Sequence, residues 1–140
     1  MGLILCATRG GEASIHAQDL AISLADKENE PLVFIYIADD SFLNKTAAAV
    51  VVDVQNELVN MGEFFLVMAV ERAVNKGVEA SAITRVGPFR ATLCEAAGEL
   101  GATTIVLGQP SGETSHFQEE EFQHLLECLA EETGAEIVTP

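Results

Sequence analysis

The chain has 140 residues, 49% hydrophobic and 21% charged, which is the size and composition of one packed domain over residues 1–140. Its 22 acidic residues outnumber 7 basic ones, for a net charge of −15, which disfavours nucleic-acid backbones and anionic membrane surfaces. The sequence has no basic, apolar leader and no run near the roughly 20 apolar residues that span a bilayer. We therefore expect a soluble, cytoplasmic protein.

Continuous apolar runs, typical of strands covered on both faces, alternate with segments of helical periodicity. The first half is predicted to contain a strand at 3–7, a helix at 13–27, a strand at 32–38 and a long helix at about 46–76. The second half follows with a strand at 78–86, a helix at 88–100, a strand at 103–107, a helix beginning at Thr114 or Ser115, and a strand at 135–138. This alternation predicts an α/β fold with a parallel sheet and helices on both faces.

Several positions carry more specific expectations. Polar and apolar residues alternate in the third strand, which favours a position at the edge of the sheet. Pro88 is predicted to be the first residue of its helix, and Ser115 with Gln118 matches a capping box. The long helix would measure about 45 Å, so Gly62 or the stretch 44–49 is expected to break or kink it. Its predicted apolar face consists of Val51, Val54, Leu58, Met61, Phe65 and Met68.

Cysteine usage fits a reducing compartment. Cys6, Cys94 and Cys128 are odd in number and widely separated, and no C-x-x-C pair occurs, so a disulfide framework is not expected. Cys6 falls in an apolar strand and Cys94 follows Leu93 in a helix. Both are interpreted as small buried hydrophobic residues.

Three segments resemble the universal stress protein family, in the order and spacing of that family. They are L-I-L-C-A-T-R-G-G-E-A-S at 3–14, A-V-E-R-A-V-N-K-G-V-E-A at 69–80, and V-G-P-F-R-A-T-L-C-E-A-A-G-E-L-G-A-T-T-I-V-L-G at 86–108. The resemblance implies an open five-stranded parallel sheet of order 3-2-1-4-5, as in the adenine nucleotide alpha hydrolase-like folds. It also implies a homodimer formed through the last strand and an adenine-nucleotide cleft between strands one and four, where the strand order reverses.

The residues expected to line this candidate cleft follow the ends of the strands. They are Ala7, Thr8, Arg9, Gly10, Ile37, Gly108, Pro110, Ser111 and Gly112. In ATP-binding relatives, the resemblance implies, strand one ends with an aspartate and the loop after strand four reads G-x-x-G, nine residues, then glycine with serine or threonine. Glycines there allow backbone N–H groups to approach phosphates.

This sequence departs from that pattern at nearly every point. Thr8 stands where the aspartate is expected, or Ala7 if the alignment shifts by one. Gly112 matches the first loop glycine, but Ser115 stands three residues later, and Leu125 and Leu126 replace the final glycine and hydroxyl. The loop and the next helix instead carry glutamates that would repel a polyphosphate, at positions 113, 119, 120 and 121.

Two further groups have alternative interpretations. Arg9, Gly10 and Gly11 either hold a single anion at the start of the first helix or form a flexible turn with an exposed arginine. Asp39 and Asp40 are interpreted as a turn and helix cap rather than a catalytic pair, because adjacent residues of an extended chain point apart.

A metal site is also considered. His116, His124 and Cys128, which Glu120 could join, have residue types that zinc accepts, but no four-ligand pattern stands out and no metal site is expected. The sequence has no Ser-His-Asp order and no Walker loop, so we expect no catalysis. Met61, Phe64, Phe65 and Met68 are interpreted as core or dimer contacts.

The leading hypothesis is a dimeric binding or regulatory module of the stress response that has lost ordinary ATP binding, with a protein partner or a small molecule as its ligand. The alternative is an ATP- or AMP-binding protein with a remodelled phosphate loop, in which Thr8, Arg9, Gly10, Gly108 and Gly112 line the pocket. A weak nucleotide hydrolase is the third and least favoured class.

Overall fold

The structure is a computed structural model that describes residues 2–8, 12–38, 48–108 and 119–140. Strands and helices alternate along the chain as predicted. They are β1 Ile4–Ala7, α1 Glu12–Glu28, β2 Leu32–Ala38, α2 Ala48–Asn75, β3 Ala80–Val86, α3 Phe89–Leu100, β4 Thr104–Leu107, α4 Glu119–Thr133 and β5 Glu136–Val138. No helix in these described ranges is long and apolar enough to cross a membrane.

The five strands form one parallel sheet in the order β3-β2-β1-β4-β5. The predicted fold and the edge position of β3 are confirmed. All residues of β1 and β2 are buried, as their continuous apolar runs predicted. Ala7 lies between Ile35 of β2 and Leu107 of β4, so the carboxyl ends of these three strands meet at one end of the sheet.

Two cores form because side chains alternate between the faces of the sheet. Phe34 and Tyr36 of β2 pack on one face with the small inward residues of α1 and α2, such as Ala21 and Ala69. Ile35 packs on the other face with α3 and α4. Burying each large apolar side chain contributes about 1.5–3 kcal/mol. The leucines of α4 at positions 125, 126 and 129 also pack in this second core.

The ends of α3 follow from proline and glycine chemistry. Pro88 is the residue before the helix, with φ −60° and ψ 135°, and not its first helical residue as predicted. The extended ψ keeps it outside the helix although its φ is compatible with one. Gly101 ends the helix in the left-handed conformation, with φ 68°, and its N–H bonds to the carbonyls of Ala97 and Gly98.

Helix α2 is uninterrupted over its 28 residues, about 42 Å, so it does not break at Gly62, while the other predicted position, 44–49, lies mostly outside the described residues. Gly62 serves packing instead. A Cβ at this position would collide with the ring of Tyr36 on β2, so the absent side chain allows the helix to lie close to the sheet.

The predicted apolar face of α2 is wrong in part. Leu58 and Phe65 pack against the first core, but Met61 and Met68 are each 48% exposed. The residues buried against the sheet are instead Leu66, Ala69 and Ala73. Because α2 is apolar around most of its circumference, periodicity alone did not identify the buried face. Small residues identify it, since they allow close contact with the strands.

Candidate functional site

The cleft is predicted between β1 and β4, at the carboxyl end of the sheet. Because Ala7 pairs with Leu107, Thr8 and Gly108 leave the two strands side by side. The N–H of Thr8 donates to the carbonyl of Ile35, 2.9 Å away, so this residue remains attached to β2. The strand order reverses between β1 and β4, which is where open α/β sheets bind ligands.

The side chains of Ala7 and Ile37, two of the predicted cleft residues, belong to the packed interior. Both are buried in the second core, between the sheet and the helices α3 and α4. The structure brings Ala7 together with Thr8 and Gly108 at the strand ends, while Ile37 lies two residues beyond Ile35, the β2 partner of Ala7. Their apolar side chains therefore offer no polar group to a ligand at the strand ends.

The side chain of Thr8 is held by a neighbour that the sequence analysis did not identify. Gln18 of α1 donates from Nε2 to Oγ1 of Thr8 over 2.6 Å, and the two residues are only 6% and 1% exposed. Ser14, one helical turn before Gln18, is also buried. The sequence does carry a signal for this contact, because Ser14 and Gln18 are polar residues four apart on a helix face otherwise made of alanine and isoleucine.

The remaining predicted cleft residues, Arg9, Gly10, Pro110, Ser111 and Gly112, lie outside the described residues. The same holds for Asp39 and Asp40, for His116, and for the predicted capping box of Ser115 with Gln118. The expectations for these positions therefore stay predictions.

A second group of chemically active side chains lies between α3 and α4. The thiol of Cys94 donates to Oε2 of Glu132 over 3.0 Å, and Arg90 donates to the other carboxylate oxygen over 3.1 Å. Burial, followed by the hydrogen bond and the negative charge of Glu132, raises the pKa of Cys94 to about 11. Cys94 was predicted to be a buried hydrophobic residue. It is half-buried and hydrogen-bonded.

The cysteines give no indication of a disulfide or a metal. All three are free thiols, and Cys6 is fully buried, as predicted, which raises its pKa. Nε2 of His124 and Sγ of Cys128 are 3.6 Å apart on one face of α4. In the part of the chain that the structure describes, no three His, Cys, Asp or Glu side chains are arranged to hold a metal ion.

Two depressions lie elsewhere in the described part of the molecule. One, of about 560 Å³, is at the amino ends of β2 and β3, beside Asp26, Glu30 and Glu79. The other, of about 740 Å³, lies between α2 and the edge strand β3 and includes Val67, Val74, Ala82 and Thr84. We call it the α2–β3 groove.

The sheet order is the one implied by the resemblance, and the model of the universal stress protein family matches residues 1–119. The chain belongs to the universal stress protein family. A search of curated protein sequences finds no significant match.

Solved structures of universal stress proteins share the fold over nearly the whole chain. A family member from Burkholderia pseudomallei is 25% identical, with a TM-score of 0.73 over 99% of this chain and 95% of its own. Universal stress protein UspA from Lactobacillus plantarum is 15% identical, with a TM-score of 0.83 over 99% and 96%. A universal stress protein in complex with cAMP is 20% identical, with a TM-score of 0.71 over 99% and 96%.

Proposed function

We propose that this universal stress protein is a binding and regulatory module of the stress response that has lost ordinary ATP binding and acts without catalysis. The observation that carries the proposal is the hydrogen bond between Thr8 and Gln18 at the end of β1. The resemblance implies an aspartate near this position in ATP-binding relatives. Here a neutral hydroxyl is buried and already accepts a hydrogen bond from inside the protein.

The chemistry of the described cleft supports the same proposal. Ala7 and Ile37 are apolar, Thr8 is neutral, and Gly108 has no side chain, so these four residues offer no general base and no carboxylate, imidazole or thiolate to hold a metal. The glutamates that follow β4 in the sequence, and the net charge of −15, add Coulomb repulsion against a triphosphate. A hydrolytic function would require groups that these residues lack.

A homodimer through β5 is part of the proposal. β5 lies at the edge of the sheet opposite β3, and no strand among the described residues pairs with its outer side, which leaves that side for a second copy of the strand. Ile137 and Val138 are half-buried in the single chain and would be covered by such pairing. Sedimentation at tens of micromolar tests this directly. A monomer at that concentration contradicts the dimer.

The second candidate function is binding of ATP or AMP in a remodelled cleft. One observation favours it, which is the fold shared with a universal stress protein that was solved in complex with cAMP. The meeting of Thr8 and Gly108 at the point where the strand order reverses is compatible with this alternative. In it, Arg9, Gly10 and Gly112 would complete the pocket around the phosphates.

Equilibrium titration with ATP and AMP, each with and without Mg²⁺, separates the two candidates. The leading proposal predicts no saturable binding below about 1 mM, the range in which weak specific ligands are still measurable. Saturable sub-millimolar binding in the wild-type protein contradicts it.

The variants Gly108→Glu and Gly98→Glu distinguish cleft binding from binding elsewhere. Gly98 is exposed on α3 with open space around it, so its substitution adds the same charge away from the cleft. The nucleotide-binding alternative predicts that Gly108→Glu abolishes binding and Gly98→Glu leaves it unchanged. Equal effects of the two variants contradict a nucleotide site in this cleft.

A further inference from the structure

Large apolar side chains are exposed along the outer side of α2. Phe64 is 62% exposed, Val67 65% and Val74 59%, and they recur at spacings of three and seven residues, so they lie on one side of the helix. Single exposed apolar residues are ordinary on protein surfaces, but several on one side of a helix beside a groove are typical of an interaction site.

The α2–β3 groove runs along this row. Its wall is formed by Leu66, Val67, Val70 and Val74 of α2, and its floor by Ala82 and Thr84 of β3. The groove exists because the edge strand carries small side chains opposite large ones. Ala82 pairs with Phe34 of β2, and Thr84 pairs with Tyr36. Small residues at the edge leave space beside the helix, and Ala82 is exposed.

The shape of the groove fits a helix better than an irregular peptide. α2 contacts both β2 and β3, and β3 is the edge of the sheet, so the next position in this helix layer is directly outside α2. A helix placed there would lie alongside α2 at the usual spacing of about 8–10 Å. From Glu63 to Val74 the groove follows three turns, about 17 Å, which suits an occupant of about 12 residues.

The charges around the groove are acidic. Glu63 and Glu71 of α2 both line it, about two helical turns apart. Two arginines of the flanking elements bind elsewhere. Arg72 of α2 is paired with Asp19 of α1, and Arg85 of β3 with Glu99 of α3. The carboxylates beside the apolar wall are therefore left to attract a cation from outside.

From these observations we infer that the α2–β3 groove binds an amphipathic helix of another protein, with an apolar face for the valine wall and lysine or arginine on its flanks. Charge decides against a second copy of this chain in this groove, because a copy packed through the same surface would place its own Glu63 and Glu71 against these glutamates. This surface is separate from the cleft between β1 and β4, and the inference holds whether or not that cleft binds a nucleotide.

The direct test is fluorescence anisotropy of designed helical peptides of about 16 residues, titrated with the full chain. The first peptide has leucines on one face and lysines on its flanks. The second has glutamates in place of the lysines, and the third has the first composition in scrambled order. We expect saturable binding of the first peptide, and binding about tenfold weaker or more for the other two. Binding of the first peptide should also weaken at high salt, since the flank contacts are electrostatic.

Protein variants connect the binding to the groove. Val67→Ser combined with Val74→Ser should weaken binding of the first peptide about tenfold, and both positions are exposed enough for the fold to be retained. The matched control is Ile15→Ser, which changes another exposed apolar residue, on α1, that is 42% exposed and outside the groove. The control should bind like wild type. Glu71→Gln should weaken binding and reduce its salt dependence.

Four results would overturn the inference. They are absence of saturable binding by the first peptide, equal binding of the scrambled peptide, no effect of the double valine variant, and an equal effect of Ile15→Ser. Sedimentation provides a further outcome. Self-association of the wild-type chain that is lost in the double valine variant would assign the groove to a second copy.

Discussion

The two helix layers that cover the sheet have different outer surfaces. α3 and α4 are joined by polar contacts, in which Arg90 and Cys94 of one helix share the carboxylate of Glu132 on the other. On the opposite face, the outer side of α2 carries exposed Phe64 and Val67 above the edge of the sheet. The helices α3 and α4 are thus linked by polar side chains of their own, whereas α2 exposes an apolar surface to solvent.

This difference separates residues that stabilise the fold from residues available to a partner. In α2, Gly62, Ala69 and Ala73 face the sheet beside Leu66, while the larger apolar residues Phe64, Val67 and Val74 are exposed. Folding alone favours burial of the larger side chains, because the stabilisation grows with the apolar area removed from water. We interpret the arrangement as serving two contacts. The small residues allow α2 to lie close to the sheet, and the larger exposed residues provide a surface for a partner.

The largest expected effect comes from truncating neighbours on the two sides of α2. Leu66 is 4% exposed and belongs to the first core, whereas Val67 is 65% exposed. Leu66→Ala should lower the free energy of unfolding by about 2–5 kcal/mol, because it leaves a cavity. Val67→Ala should change it by no more than about 0.5 kcal/mol. Urea denaturation followed by circular dichroism measures both. Similar losses in the two variants would contradict the division of α2 into a buried and an exposed side.

The order of strands and helices was predictable because each element has a strong local signal. β1 and β2 are continuous apolar runs, and Gly101 marks the end of α3 where the chain needs a positive φ. Which face of α2 is buried was harder to predict from the sequence. Met61 and Met68 continue the same periodicity as Leu58 and Phe65, and only contact with the sheet distinguishes them.

The candidate site was predictable in position and not in detail. The place where Thr8 and Gly108 meet follows from the strand order, which the resemblance implied. The partner of Thr8 depends on where α1 lies on the sheet, so Gln18 could not be identified from local sequence. A buried glutamine on an apolar face is nevertheless a signal, because buried polar groups need hydrogen-bond partners.

Replacing one glycine in each helix layer by alanine should change the stability by smaller amounts, and the two changes should have opposite signs. At Gly62 of α2 an added methyl group meets the ring of Tyr36, whereas at Gly98 of α3 it meets open space. Alanine is the better helix former by about 1 kcal/mol, and overpacking costs about 1–3 kcal/mol. Gly98→Ala should therefore stabilise the protein by about 0.5–1 kcal/mol, and Gly62→Ala should destabilise it by about 1–2 kcal/mol. Thermal and urea denaturation report the signs. Stabilisation by both variants would mean that the Tyr36 ring moves aside and that α2 is not held close by packing.

The smallest expected change in stability concerns the polar contact between Cys94 of α3 and Glu132 of α4. The pKa of Cys94 is raised from an ordinary 9.0 to about 11 by burial, then by the hydrogen bond to Glu132 and its charge. A thiol whose pKa is raised on folding contributes stability that is fully present below the unfolded value and is lost as pH rises through the folded value. The contribution should therefore fall between about pH 9 and pH 11.

The variant Glu132→Gln isolates this contact, because it keeps the size of the side chain and removes the negative charge. The pKa of Cys94 should then fall toward its ordinary value, and each unit of decrease raises the thiolate fraction near pH 8 about tenfold. Alkylation by iodoacetamide, followed for each cysteine by peptide mass spectrometry, should be faster at Cys94 and unchanged at buried Cys6. An unchanged rate at Cys94 would mean that burial alone protects the thiol. The contact between α3 and α4 would then depend on the ion pair of Arg90 with Glu132. In that case Arg90→Met should weaken the contact between the two helices, and Cys94→Ala should not.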